Sequence, residues 1–311
     1  MEEKLQTFPP EDVSATNVMA AKPRKQLVAF LLSLLTPGLG QIYNGQILKA
    51  ILFLGLIFIP LLFASATRLA YSFTGLVLIL AVELLLRLYI LVDSVISARR
   101  HNDFVPRAYN KWYYYLLFAI GIVALFEIFP AHKLLRINSF SIPTESNMPV
   151  LMAGDKVVGS LSKDEKRKPQ YGELVTFNSP RGGVWVFRVV GLPGDKINVG
   201  GNFLTINDKK CKTRLVGPKV VNNVPMLEYT EELPNGKNHS ILTFDADELT
   251  QRAAKQIVLP QNYYYLMGDN RDNAFDSRFI GPVSEENITG RLLYSFWGEG
   301  PGRVNIDITR Q

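Results

Sequence analysis

Ser146 is the residue whose side chain and surroundings first suggest chemistry in this sequence. It lies between Pro143 and Pro149, and each proline disfavours helical geometry in the residue before it, so we expect an extended segment. A serine hydroxyl is a poor nucleophile unless a neighbouring base takes its proton. The segment therefore predicts catalysis only if a basic side chain folds beside Ser146.

Metal and disulfide chemistry are not expected. The chain of 311 residues has a single cysteine, Cys211, and three histidines scattered along the sequence. One thiol cannot form an intramolecular disulfide, and this spacing is unlike that of zinc ligands. The turn from Gly191 to Asp195 lacks the following helix that phosphate binding requires. The sequence thus predicts neither a metal nor a cofactor.

Apolar residues are concentrated in a segment that we interpret as a transmembrane region, residues 26–130. The apolar runs at residues 50–67 and 69–92 are each long enough for a helix that crosses a bilayer. A third run at residues 112–129 opens with aromatic residues typical of a membrane interface. The shorter run at residues 27–35 is interpreted as half-inserted or re-entrant. About three spans are predicted.

Basic residues beside these runs predict their orientation. They occur in residues 1–25 and between Arg99 and Lys111, and such positive loops stay in the cytoplasm. The sequence therefore predicts a cytoplasmic tail over residues 1–25 and places everything after residue 130 outside. Anionic lipid accounts for these charges, so the predicted partner is a lipid bilayer and not nucleic acid. Alternatively, residues 27–43 cross the membrane and force the basic loop outside.

Residues 35–45, followed by Lys49, resemble the small two-helix membrane module often called TM2. Their proline and glycines predict a turn that interrupts a helix at the membrane surface. This resemblance implies no particular chemistry.

Residues 138–311 have a different composition, with short β-branched and aromatic runs separated by Gly, Pro, Asn and Asp. This pattern is typical of strands joined by turns, and the length suits one domain with one core. Strands are expected within residues 156–161, 173–177, 184–192, 196–206, 263–267 and 288–297. The predicted fold class is an N-terminal α-helical transmembrane region followed by a mainly β extracytoplasmic domain.

Four segments of the β half resemble bacterial signal peptidase I in the same order. These serine endopeptidases of the S26 family are hydrolases that remove signal peptides from exported preproteins. The segments are residues 140–155, 171–177, 187–195 and 267–281. The resemblance implies a membrane-anchored bacterial protein with a β-rich catalytic domain and an active site near the membrane surface. Together with the predicted spans and orientation, it predicts a multi-pass protein of the bacterial cytoplasmic membrane, with its catalytic-type domain outside. It also implies a serine nucleophile, a lysine general base, and signal peptides with small side chains before the cut as partners.

The resemblance assigns roles to two hydroxyl residues. It places the nucleophile at Ser146 and an oxyanion-stabilising hydroxyl at Thr144, acting with the backbone N–H of the nucleophile. Such a donor stabilises a transition state by about 3 to 4 kcal/mol, because it points where negative charge develops.

The general base that the resemblance implies is missing. The family places its lysine directly before the arginine of the Arg-Val-Val-Gly-Leu-Pro-Gly-Asp motif, and this position is Phe187, which cannot accept a proton. The serine that orients the lysine is replaced by Ala274. Next to Ser146, Glu145 replaces the usual glycine and Asn147 the usual methionine. The identity of the base is therefore unknown.

Other titratable residues are weak candidates for this base. His132 lies beside the third span, and His239 lies in what we interpret as a surface turn. Lys156 and Lys196 are expected to face water. The Glu145 side chain is expected to point away from its neighbour Ser146, since successive side chains of an extended segment alternate in direction.

Four charged residues in the last motif are expected to be structural. Asp276 with Arg278, and Asp269 with Arg271, are predicted as two ion pairs that hold the loop at residues 268–281. Two hypotheses about function then remain. The chain is either a signal peptidase I-like serine endopeptidase with an unidentified base, or a catalytically silent homologue that binds signal peptides or partners at the membrane.

Overall fold

The computed structural model describes residues 23–100, 104–161, 167–200, 203–244 and 255–310. Most of the predicted cytoplasmic tail, residues 1–25, lies outside these ranges. The chain forms two compact units. The first contains the residues up to Pro60 and Ala81–Phe129, and the second contains Leu61–Leu80 and the residues from Pro130 onward.

Helices dominate the first part of the chain, and each is described here by its bounds. The α-helices are α1 (Gln26–Leu35), α2 (Leu39–Tyr43), α3 (Ile47–Thr67), α4 (Phe73–Arg100), α5 (Trp112–Ile128), α6 (Ala131–Leu134) and α7 (Ser277–Ile280). Short 3-10 helices cover Leu69–Tyr71, Glu285–Asn287 and Ile308–Arg310.

Three helical segments of the described chain are long and apolar enough to cross a membrane, by length and composition. They are Ile47–Thr67, Phe73–Arg100 and Trp112–Leu134, which matches the predicted number of spans. The predicted start of the second run at residue 69 is wrong as a helix boundary. Arg68 has a left-handed backbone with φ 55°, and Leu69–Tyr71 is a 3-10 turn that delays the helix until Phe73.

The TM2-like segment folds as predicted, with α1 ending at Leu35 and a tight turn before α2. Buried polar side chains attach it to α4. Gln41 Nε2 donates to the carbonyl oxygen of Ile90 at 2.8 Å, and Asn44 Nδ2 donates to that of Ser94 at 2.7 Å. Such bonds satisfy backbone groups that a bilayer cannot hydrate, so they stabilise the packing of these short helices in the first unit.

The β domain is built from fourteen described strands in three antiparallel sheets. The strands are β1 (Ile137–Ser141), β2 (Lys156–Leu161), β3 (Leu174–Asn178), β4 (Val184–Gly191), β5 (Lys196–Gly200), β6 (Phe203–Ile206), β7 (Lys209–Lys210), β8 (Lys212–Val221), β9 (Val224–Glu232), β10 (Asn238–Phe244), β11 (Lys255–Val258), β12 (Tyr263–Met267), β13 (Val283–Ser284) and β14 (Ile288–Trp297). The largest sheet has the order β1-β2-β14-β3-β4-β12-β13, and the smaller ones have the orders β10-β9-β8 and β11-β5-β6-β7.

One part of the second unit's core combines helical residues with the large sheet. The hydroxyl of Tyr294 on β14 donates to the carbonyl oxygen of Ala70 at 2.8 Å. Around this bond lies a buried cluster whose members are apolar or aromatic: Leu61, Ala64, Ala70, Ile79, Leu135, Ile137, Val158, Leu293 and Tyr294. The residues that join α3 to α4 therefore cover an apolar region of the sheet.

Candidate active site

Ser146 lies in the loop between β1 and β2, and this loop is fixed at both ends. At its base, the backbone N–H of Ile142 donates to the carbonyl oxygen of Asp155 at 2.8 Å. At its tip, the carbonyl oxygen of Ser146 accepts from the backbone N–H of Asn270 at 3.1 Å. The side chain of Asn270 also donates to the carbonyl oxygen of Glu145 at 3.2 Å. The half-buried Ser146 is thus positioned by the loop that follows β12.

The hydroxyls of Thr144 and Ser146 are 3.4 Å apart and line the same cleft. The cleft has a volume of about 570 Å³. Its lining residues come from β1 and the loop after it, from the turn before β4, from β4 and from the loop after β12: Ser139, Phe140, Ser141, Ile142, Pro143, Thr144, Ser146, Asn147, Arg181, Val184, Trp185, Val186, Phe187 and Phe275. A cleft lined by apolar side chains and by four hydroxyl-bearing residues can hold an extended peptide segment.

Phe187 and Ala274 lie together beside Ser146, in one buried apolar cluster. Gly268 shows how close these positions are. A Cβ atom added to Gly268 lies 2.4 Å from Ala274 Cβ, 2.5 Å from the carbonyl oxygen of Ser146 and 3.3 Å from Phe187 Cε1. The structure therefore brings together the three positions that the family resemblance assigns to nucleophile, base and base-orienting residue. The base position carries the phenyl ring of Phe187, and the base-orienting position carries the methyl group of Ala274.

The ring of Phe187 packs in the hydrophobic core. It is 4% exposed, and its centroid lies 5.9 Å from that of Phe177 and 6.2 Å from that of Trp185. Trp185 in turn contacts Phe275 across the cleft wall, with centroids 6.4 Å apart. A lysine amine at this buried position loses hydration, which lowers its pKa towards neutrality. The environment therefore suits a desolvated amine, although the chain places an aromatic ring there.

No lysine, histidine or carboxylate lines the cleft in the part of the chain that the structure describes. Arg181 lies at its edge with its guanidinium carbon 3.8 Å from the centroid of Phe275, but a guanidinium keeps its proton at any physiological pH. Lys196 pairs with Asp208 at 2.7 Å. His132 is exposed on α6.

Two further candidates for the base also point elsewhere. Lys156 is exposed, as predicted. The carboxylate of Glu145 accepts a hydrogen bond from the side chain of Asn222, which directs it away from the Ser146 hydroxyl. Asn147 is buried, and its Nδ2 donates to the carbonyl oxygen of Val186 at 2.8 Å. Its role is therefore to attach the nucleophile loop to β4.

The predicted pairing of Asp269 with Arg271 is wrong. Asp269 binds Arg188 through two hydrogen bonds of 2.7 Å, and Arg271 Nη2 lies 2.5 Å from a carboxylate oxygen of Glu231. The side chains of Asp269 and Arg271 each reach a strand that is distant in sequence. Their proximity in the motif therefore did not identify their partners.

The prediction that His239 lies in a surface turn is also wrong. It is only 4% exposed and lies directly opposite Glu231 in the β9–β10 pair, with Nε2 3.3 Å from the Glu231 carboxylate. The turn itself is formed by the preceding residues, and Gly236 there has φ 80°. His239 thus belongs to a buried charged cluster, which we define as Arg188, Glu231, His239, Asp269 and Arg271.

Burial and neighbouring charges shift the pKa values within this cluster. Burial favours the neutral form of Glu231, but Arg271 and His239 outweigh it and lower the pKa of this carboxyl to about 2. Burial, assisted by the charge of Arg188, lowers the pKa of His239 below its ordinary value, although Glu231 and Asp269 oppose this. His239 is therefore neutral at pH 7, and the cluster serves the fold and not proton transfer in the cleft.

The predicted pair of Asp276 with Arg278 is confirmed. Asp276 binds Arg278 through two contacts of 2.8 Å, and its other role is to accept from the backbone N–H of Gly268 at 2.9 Å. This pair therefore holds the glycine that faces Ser146.

Sequence reasoning missed three residues that line the cleft, Arg181, Trp185 and Phe275, and one that positions the serine loop, Asn270. Asn270 lies within the Gly-Asp-Asn-Arg motif that was identified, so its contact with the serine loop had a signal that was not used. Trp185 lies two residues before Phe187, and Phe275 directly follows Ala274. Arg181 gave no signal in the sequence.

Comparison with known proteins agrees with the resemblance described above. Residues 109–297 match the family described as signal peptidase, peptidase S26. Signal peptidase I of Buchnera aphidicola subsp. Schizaphis graminum is 32% identical over 203 residues, which cover 49% of this chain and 65% of that protein. The aligned region thus spans less than two thirds of the Buchnera protein. Signal peptidase IB of Staphylococcus aureus strain MRSA252 is 29% identical over 171 residues, or 55% of this chain and 83% of that protein.

A crystal structure of a signal peptidase I from Enterococcus faecalis V583 is also similar. It shares 25% sequence identity and covers 41% of this chain and 99% of the crystallised chain, with a TM-score of 0.26. The family match, together with the apolar helices and the mainly β C-terminal part, confirms the predicted fold class. Because the family match covers more than half of the residues of this chain, the chain belongs to the signal peptidase family, peptidase S26.

Proposed function

We propose that this protein binds the signal peptides of exported preproteins at the membrane and cleaves them poorly or not at all. The family and the relatives named signal peptidase I and IB support signal peptides as the ligand class. The observation that carries the second part is the buried ring of Phe187, which occupies the position of the expected lysine beside Ser146.

The chemical argument concerns the proton of the Ser146 hydroxyl. Peptide cleavage requires this proton to leave as the oxygen attacks the carbonyl carbon, and a phenyl ring cannot accept it. Loss of one member of a hydroxyl and base pair typically lowers turnover by a factor on the order of 10⁴ to 10⁶. What persists is the stabilisation of the oxyanion and the binding of the substrate. Thr144 and the cleft supply these two.

Binding can persist without cleavage because the cleft does not depend on the lysine. The apolar residues Val186 and Phe187 of β4 line the cleft, as do Pro143 and Thr144 of the loop after β1. An extended peptide in the cleft buries small apolar side chains and replaces water at the cleft walls. The same surfaces that prepare a substrate for cleavage can therefore retain it.

A working peptidase is the second candidate. The proximity of the Thr144 and Ser146 hydroxyls, at 3.4 Å, favours it because an oxyanion site beside the nucleophile is chemically available. In this case a group that is not in the described lining of the cleft acts as the base.

The experiment that separates the two candidates uses the purified full chain and a preprotein with an Ala-x-Ala site. We expect its cleavage rate to equal that of the Ser146→Ala variant, while both proteins bind a labelled signal peptide with the same affinity. Cleavage that is robust and abolished by Ser146→Ala contradicts the silent form and establishes the peptidase. Absence of signal-peptide binding contradicts both.

We also propose the membrane arrangement that the basic residues predict. The three apolar segments cross the bacterial cytoplasmic membrane, residues 99–111 lie in the cytoplasm, and the β domain lies outside, where exported preproteins emerge. The apolar segments support the crossings by their length and composition, and the positive charges support the orientation.

A further inference from the structure

An open apolar groove runs along the surface of the first unit, between α5 and the segment formed by α2 and α3. Its volume is about 420 Å³. The lining side chains are apolar or aromatic: Ile42, Ile47, Leu54, Tyr109, Tyr114, Leu117, Phe118, Gly121 and Ile122. Gly121 adds no side chain to this lining, and a Cβ atom added there would meet no atom within 4 Å. The groove is therefore an unfilled channel on helices that we assign to the membrane.

The length of the groove suits one hydrocarbon chain. From Tyr114 to Ile122 the groove follows α5 for eight residues, which is about 12 Å along a helix axis. The hydrocarbon core of one leaflet is about 15 Å thick. Behind the groove, Phe118 packs against the buried cluster of Leu39, Ile42 and Ala50, which gives it a rigid apolar floor.

Two cationic residues lie close to one end of the groove: Arg107 beside Tyr109, and Lys111 before α5, where its Nζ is 5.9 Å from the ring centroid of Tyr113. Tyr109, which lines this end, donates its hydroxyl hydrogen to the carbonyl oxygen of Gly45 at 2.6 Å, and Arg107 Nη1 lies 3.3 Å from the same hydroxyl. Both cations are exposed, and neither forms an ion pair with a carboxylate within the described ranges of the chain.

We propose that this groove binds one anionic phospholipid, with an acyl chain along α5 and the phosphate between Arg107 and Lys111. An apolar channel alone accepts the chain of any lipid, but two exposed cations that pair with no carboxylate of the described residues favour a negatively charged headgroup. The arginine supplies directed hydrogen bonds to phosphate oxygens, and the lysine supplies a second positive charge. The inference concerns the first unit alone and does not depend on the proposed function of the β domain.

The test is native mass spectrometry of the full chain in a neutral detergent. Phosphatidylglycerol and phosphatidylcholine with identical acyl chains are titrated separately. We expect one phosphatidylglycerol to be retained at a concentration at least fivefold lower than that required for phosphatidylcholine. The double variant Arg107→Gln with Lys111→Gln should abolish this preference. Its matched control, Lys209→Gln with Lys210→Gln, removes the same charge from exposed β7 and should keep it.

A second pair of variants tests the groove itself. Gly121→Leu fills the channel, whereas Gly55→Leu adds the same side chain to α3, where a Cβ also meets no atom within 4 Å and the residue does not line the groove. We expect Gly121→Leu to weaken phosphatidylglycerol binding at least fivefold and Gly55→Leu to leave it unchanged. Equal retention of both lipids by the unmodified protein overturns the proposal. So does an equal loss in both charge variants or in both leucine variants.

Discussion

Arg188 and Asp269 form a buried ion pair in which two guanidinium nitrogens, Nε and Nη2, each donate to a carboxylate oxygen at 2.7 Å. A third bond, from Arg188 Nη1 to the carbonyl oxygen of Gly172 at 2.7 Å, attaches the same side chain to the turn before β3. Arg188 directly follows Phe187 on β4, and successive side chains of a strand point to opposite faces. The ion pair therefore fixes β4 from one face while Phe187 lies beside Ser146 on the other.

Removing the carboxylate of this pair should strongly destabilise the β domain. We expect Asp269→Asn to lower the free energy of unfolding by about 3 to 5 kcal/mol, because it leaves the buried Arg188 charge uncompensated. Asp208→Asn is the matched control, since it removes the carboxylate of an exposed pair with Lys196 and should cost less than about 1 kcal/mol. Chemical denaturation of the full chain measures both values. Equal losses in the two variants contradict the assignment.

Stability should fall as the pH is lowered from 7, because the folded pKa values of His239 and Glu231 both lie below their ordinary values. Neutral His239 contributes stability above its ordinary pKa of 6.5, and this contribution declines as the pH falls below that value. Glu231 contributes above its ordinary pKa of 4.5, on the order of 3 kcal/mol, and loses it as the pH approaches 2. Arg188, Asp269 and Arg271 are the charges that face them. Thermal melts from pH 7 to 2 measure the decline.

The variant His239→Gln isolates the histidine contribution. It should flatten the dependence of stability on pH between 7 and 5 while leaving the steeper loss below pH 4.5. A variant as sensitive as the unmodified protein between pH 7 and 5 shows that other groups titrate there.

Gly268→Ala should disturb the serine loop directly. The added Cβ comes within 2.4 Å of Ala274 Cβ and 2.5 Å of the Ser146 carbonyl oxygen, so backbone has to move. We expect a loss of about 1 to 3 kcal/mol in stability and weaker binding of a labelled signal peptide. Gly200→Ala, where the Cβ meets no atom within 4 Å, is the control and should change neither. Normal peptide binding by Gly268→Ala contradicts the placement of the cleft.

Restoring the missing pair should restore catalysis. Phe187→Lys combined with Ala274→Ser should raise Ser146-dependent cleavage by orders of magnitude, since the buried site lowers the pKa of the lysine amine. Phe187→Lys alone should gain less, because an unoriented amine spends time away from the nucleophile. Phe187→Leu with Ala274→Ser is the control that opens the same space without a base and should gain nothing. Values of kcat/KM, measured on protein shown to be folded, rank the three.

Topology is tested with reporter fusions. A reporter after Ala108 should indicate the cytoplasm, and one after Gln311 should indicate the outside, because the basic residues from Arg99 to Lys111 stay inside. The opposite signals mean that residues 27–43 cross the membrane.

Sequence patterns predicted the strands that coincide with a clear apolar run, and missed those in which apolar and charged residues are mixed. The runs that became β2, β12 and β14 match their observed bounds. By contrast, β8 and β9 form a hairpin in which charged residues interrupt the apolar ones, and Leu215, Val216 and Val220 are exposed, so no long apolar run marks these strands.

The site shows the same division between local and distant information. Short sequence motifs identify the backbone positions of the site, and Asp276 pairs with Arg278 only two residues further along the chain. His239 and Arg271 were misjudged because their partner, Glu231, lies on a strand that the sequence did not reveal. Burial of a charged residue depends on such distant pairing, which a single sequence does not encode in its spacing.

The participation of Leu61–Leu80 in the second unit has a practical consequence for preparing a water-soluble fragment. A truncated chain that begins near residue 138 loses Ala70 and its neighbours, and with them the cover over Val158, Leu293 and Tyr294. Exposed apolar area of this kind promotes association. Such a fragment therefore requires either polar substitutions on that surface or a linker that retains residues 61–80. Low solubility of a fragment without either change would indicate that this apolar surface is exposed.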